Sequence, residues 1–73
     1  MREEIKAHAQ IIAERLNDLD GFWFYYKYIK ILGFQRCYEL ASLSIQEFRE
    51  GRIRTSPARY FNGCVRRELK ENL

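Results

Sequence analysis

The chain has 73 residues, 47% of them apolar and 15% aromatic, which bounds it to one small domain with enough large side chains for a core. Its net charge of +3 is unevenly placed: residues 1–50 carry seven basic and eight acidic side chains, and residues 51–73 carry six basic and two acidic. One histidine and two separated cysteines exclude a Cys/His zinc site and a disulfide framework, so Cys37 and Cys64 are expected as reduced thiols on apolar helix faces. The start, Met1-Arg2-Glu3-Glu4, carries no basic-then-apolar signal. The longest apolar stretch, Phe22 to Leu32, is about half a bilayer span and contains Lys27 and Lys30. A soluble, cytoplasmic protein is expected.

From Arg2 to Leu19, apolar residues recur at threes and fours: Ile5, His8, Ala9, Ile12, Leu16 and Leu19. That spacing predicts an amphipathic helix with one buried stripe, and His8 is expected as a packed or boundary residue of it. Asn17-Asp18-Leu19-Asp20-Gly21 then forms a tight connection, with Asp20 or Asp18 as N-cap and Leu19 placed to staple against Phe24. The second helix, Gly21 to Leu32, holds six of the chain's eleven aromatics between Phe22 and Tyr28. Only the wedge of Trp23, Lys27 and Lys30 breaks its apolar girth, so the helix is expected to be buried on most sides and central to the fold. Gly33 closes it as a positive-φ residue.

A third helix is read from Gln35 to Glu50, with Cys37, Leu40, Ala41, Ser44 or Ile45, and Phe48 inward. The weak propensity of Ser42-Leu43-Ser44 marks a place for a bend or break. Gly51 ends it, and a basic connector follows with Ile53 plugged into the core. Ser56-Pro57, an N-cap followed by proline at the first helical position, is the clearest helix start in the chain. The last helix runs from Pro57 to about Glu71 with Ala58, Phe61, Cys64, Val65 and Leu69 inward; Glu68 near that face predicts that the last turn leaves the core or frays. The fold expected is all-α, a compact bundle of four short helices over about 2–19, 21–32, 35–50 and 57–71, the second central.

Catalytic machinery is hard to assemble from these residues. The one histidine lies in an apolar stripe, no glycine-rich phosphate loop is present, and the acidic residues are scattered over solvent faces. A non-enzymatic module without cofactor or metal is expected. The basic last third points to a polyanion instead. Arg59, Asn62, Gly63, Arg66 and Lys70 fall within about a third of a turn on one face of the last helix, opposite Phe61. Arg52, Arg54 and Ser56 lie just before it, where arginines, hydroxyls and a helix N-terminus are the usual phosphate-contacting groups. Gly63 costs helix stability there, with two explanations open: close approach of a phosphate or second helix, or relief of a crowded contact within the chain.

The segments Ala13-Glu14-Arg15-Leu16-Asn17-Asp18, Tyr25-Tyr26 and Gly51-Arg52-Ile53-Arg54-x-Ser56-Pro57-Ala58-x-Tyr60-Phe61 resemble small helical domains attached to replication proteins of phages and plasmids. In those domains a basic segment of the form g-x-I-R-x-(S/N)-x-A-x-Y-F opens the last helix. The resemblance implies a nucleic-acid-associated or replisome-interaction role and carries over to Arg52, Arg54, Ser56 and Arg59 only. These 73 residues include no winged-helix or ATPase domain. The function expected is a binding module whose basic face contacts DNA or RNA. The alternative is a protein-interaction or homodimerisation module that uses the aromatic helix, with Trp23, Lys27 and Lys30 at its interface.

Overall fold

The three-and-four spacing of apolar residues becomes helix almost throughout. The computed structural model describes residues 2–71. They form four α-helices, α1 (Arg2–Arg15), α2 (Phe22–Leu32), α3 (Phe34–Arg49) and α4 (Pro57–Glu71), with a 3-10 turn at Leu19–Gly21. No strand occurs among the described residues, and the fold is the all-α four-helix bundle that the periodicity implies. The core is one cluster: Ala9, Ile12, Ala13 and Leu16 from α1, Tyr25, Tyr28 and Ile29 from α2, Cys37, Leu40 and Ala41 from α3, and Ala58, Phe61 and Val65 from α4. Phe61 sits at its centre, edge-on to Tyr25 at 5.5 Å and tilted against Tyr28 at 6.2 Å.

The helix ends explain where the boundaries differ from expectation. α1 stops at Arg15 and not near Leu19, because Asn17 adopts a left-handed φ of 53°. Its N–H and that of Asp18 then bond back to the carbonyls of Glu14 and Ala13, the paired closure that satisfies the last turn's orphan acceptors. Gly51 (φ 74°) closes α3 in the same way through the Phe48 and Glu47 carbonyls. At Gly33 the backbone takes φ 88° and ψ 155°, a region open essentially to glycine alone, and this lets α3 begin at Phe34 immediately after α2.

Neither Asp18 nor Asp20 caps α2 through its side chain. The Asp18 carboxylate instead accepts a 2.7 Å hydrogen bond from the Tyr25 hydroxyl, which it holds across the connection. Burial first, and then this hydrogen bond, keep the Tyr25 phenol protonated far above its ordinary range. Gly21 is needed beside this pair. A Cβ there would lie 2.5 Å from Asp18 Oδ2 and 3.0 Å from the Tyr25 ring. Gly21→Ala should therefore destabilise the fold by about 1–3 kcal/mol through overpacking and loss of the Asp18–Tyr25 bond. A urea melt reads this directly, and an unchanged midpoint would mean the pair is not held as described.

α2 does not bury most of its girth. It reaches α1 and α3 and, through Tyr25 and Tyr28, Phe61 of α4, but only Tyr25, Tyr28 and Ile29 are buried. Trp23, Phe24 and Ile31 are 65%, 63% and 54% exposed. Leu19 belongs neither to the α1 stripe nor to a closed staple with Phe24, since it is 61% exposed in the 3-10 turn. The molecule measures 37 × 28 × 18 Å, so along its thin axis there is room for about two helices, and each keeps an open side.

Other differences have local causes. α3 runs unbroken through Ser42-Leu43-Ser44, and the buried Ser44 hydroxyl donates back to the Leu40 carbonyl at 2.7 Å, so it needs no partner outside the helix. Phe48 is exposed and does not complete the α3 stripe, and Ile53 is half-buried outside the core cluster. Glu68 does not drive the end of α4 from the bundle. It accepts a hydrogen bond from Arg36 Nε at 2.6 Å, tying α4 to α3. His8 packs as expected, its ring stacked on Phe34 at 4.0 Å. Cys37 is buried, Cys64 half-buried, and both are free thiols.

Candidate nucleic-acid interface

Ser56 and Pro57 fix the start of α4 as their order implies. The Ser56 hydroxyl accepts from the Arg59 N–H at 3.3 Å, and its carbonyl accepts the Tyr60 N–H. With Ala58, Phe61 and Val65 locked inward, the opposite side of the helix must face solvent. Arg59, Gly63, Arg66 and Lys70 lie within about 60° of one another around the axis, and all four are exposed. Asn62 and Arg67 flank this arc, about 40° outside it on either side. Among the described side chains (residues 4–70) no carboxylate forms an ion pair with Arg54, Arg59, Arg66, Arg67 or Lys70.

The structure separates the seven expected contact residues into groups. Arg59, Arg66 and Lys70 share the exposed arc, and Arg54 is exposed in the loop that leads to it. Ser56, Arg59 and Asn62 meet Leu16, Asn17, Asp18 and Ala58 around an open cleft of about 260 Å³ between the end of α1 and the start of α4. Arg52 does not join either group. Its Nε donates to Glu47 at 2.6 Å and its other nitrogen pairs with Glu50, so two carboxylates at the end of α3 hold its guanidinium. Arg67 was not singled out from the sequence. It follows Arg66 directly and lies within reach of the same arc, a signal the helical wheel carries, and it also lines a smaller groove with Arg36, Leu40, Cys64 and Glu68.

Burial pushes the Cys37 thiol up to about 11, so it is protonated at neutral pH and a poor nucleophile. Arg36 holds the Glu68 carboxyl below the usual range and keeps it as a paired anion. Among the described residues no group of three His, Cys, Asp or Glu side chains could hold a metal ion. No helix of the described chain is long and apolar enough to cross a membrane.

Comparison of the chain with models of known protein families, with characterised proteins and with solved structures gave no match. The functional reading therefore rests on the geometry of these side chains.

Gly63 narrows that geometry. A Cβ at this position would meet nothing within 4 Å, so no crowded contact inside the chain requires glycine. On α2, Trp23, Lys27 and Lys30 are all exposed as the wedge predicts, and Lys30 Nζ lies 5.8 Å from the Tyr26 ring centre. The open arc there is wider than the wedge, because Phe24 and Ile31 belong to it as well.

Proposed function

We propose that this protein is a non-catalytic nucleic-acid-binding module of the cytoplasm, with the outward face of α4 lying against a phosphodiester backbone. The observation that carries this reading is the arc of Arg59, Arg66 and Lys70 around Gly63, without an ion pair to any described carboxylate. Arg54 extends the arc past the start of the helix, and the Asn62 amide beside it supplies a group able to reach a base edge. The likeness of the Gly51–Phe61 segment to domains of phage and plasmid replication proteins supports a role in replication.

A mobility-shift assay at low salt with single- and double-stranded DNA and with RNA tests the proposal. A shifted complex with at least one of the three is expected, and no shift with any of them sinks it.

Gly63 gives a sharper second result, because stability and binding move in opposite directions. Gly63→Ala should raise helix stability by about 1 kcal/mol, which for a domain of this size moves Tm up by about 4–8 °C. The added methyl also stands where the backbone of the nucleic acid approaches, so affinity should fall. Melting and binding curves on the same preparation read both effects. A variant that is more stable and binds equally well would show that nothing approaches the helix at Gly63.

A further inference from the structure

We infer that two copies of this chain pair antiparallel through the exposed face of α2. Lys30, Trp23, Lys27, Ile31 and Phe24 occupy a continuous arc of about 120° around the helix, with Leu19 exposed about one turn before Trp23. Four large apolar side chains left open on one face of so small a protein form the kind of patch that marks an interface.

The charges on this face choose the occupant. α2 contains no acidic residue, and its two lysines lie toward its C-terminal half. Asp20, exposed in the preceding turn, lies at the other end, and no described cation forms an ion pair with it. At about 1.5 Å per residue, Asp20 and Lys30 lie roughly equal distances to either side of the level of Tyr25. A second copy laid antiparallel about that level brings Asp20 to the level of Lys30 of the other chain, on the same exposed side. It also sets Trp23, about 40° from Lys27 around the helix, opposite Lys27 of the other chain. Each contact then occurs twice, as an isologous interface requires. The helix dipoles oppose as well. A parallel arrangement brings Lys27 and Lys30 against their own copies and loses all of this. A standard interface takes about 800 Å² from each partner, roughly 15% of this chain's 5453 Å² of accessible surface.

Sedimentation equilibrium of the full chain, with circular dichroism to confirm that each variant is folded, tests the pairing. The wild type should be dimeric at about 100 µM. Asp20→Lys and Lys30→Asp should each weaken the dimer by about tenfold or more, and the double reversal should recover it. Trp23→Ala should leave a folded monomer. A wild-type monomer throughout the concentration range would overturn the inference, as would charge reversals without effect or a double reversal that fails to recover. A monomer that instead binds anionic lipid vesicles through Trp23 would assign the face to a lipid surface and equally overturn it.

Discussion

Phe61→Ala should remove most or all of the fold's stability at 25 °C. Phe61 is fully buried, and its ring is the meeting point of Tyr25 and Tyr28 from α2 with the inner face of α4. Truncating a buried phenylalanine costs about 3–5 kcal/mol in lost transfer energy and cavity formation. A domain of 73 residues has roughly 4–11 kcal/mol of total stability, and small single cores lie toward the lower end. The variant should therefore lose its cooperative urea transition, read by far-ultraviolet circular dichroism. Phe48→Ala provides the contrast, since an exposed phenylalanine should change stability by only about 0.5 kcal/mol. Equal effects of the two substitutions would mean that the core is not centred on Phe61.

The second large effect concerns binding. Replacing Arg54, Arg59 and Arg66 together by alanine should abolish most nucleic-acid affinity while leaving the fold intact, because all three are exposed and none forms an ion pair with a described carboxylate. Each phosphate contact contributes about 0.9 to the slope of log K against log salt on duplex DNA, so the triple variant should flatten that slope by about 2.7. Arg52→Ala should behave differently. Its guanidinium is already engaged by Glu47 and Glu50, so its removal should change the slope far less than loss of Arg59. If Arg52→Ala weakens binding as much as Arg59→Ala, those ion pairs open in the complex and the contact surface extends onto the loop.

Much of the helical framework was legible because it depends on neighbours in sequence. Ser56 followed by Pro57 marks the start of α4, Gly33 and Gly51 mark ends, and the spacing of Ala58, Phe61 and Val65 gives the inner face. The end of α1 was less visible. Asn17 pays a steric cost in its left-handed conformation that a residue-type rule assigns first to glycine, and the backbone closure it permits is not written in the apolar stripe. The hydrophobicity of α2 was clear, but how much of it is covered depends on how many helices surround it. In a slab two helices thick, one arc remains open and carries Trp23, Phe24 and Ile31. Phe48 escapes the core for a related reason: it falls in the last turn of α3.

The binding face shows the same division. The alignment of Arg59, Arg66 and Lys70 follows from helical geometry alone. The withdrawal of Arg52 does not, since it requires the turn at Gly51 that brings its side chain back to Glu47 and Glu50. The cleft that joins Arg59 and Asn62 to Asn17 and Asp18 likewise depends on where the end of α1 meets the start of α4. That meeting is a tertiary fact.

The most direct measurement is the affinity of the wild-type chain for a labelled random oligonucleotide pool as salt is raised from low to moderate concentration. With Arg54, Arg59, Arg66 and Lys70 each on a phosphate, four contacts predict a slope of about −3.6 on duplex DNA and about −2.8 on single strands. No binding at low salt, or binding that salt leaves unchanged, would contradict the assignment of the α4 face to nucleic acid.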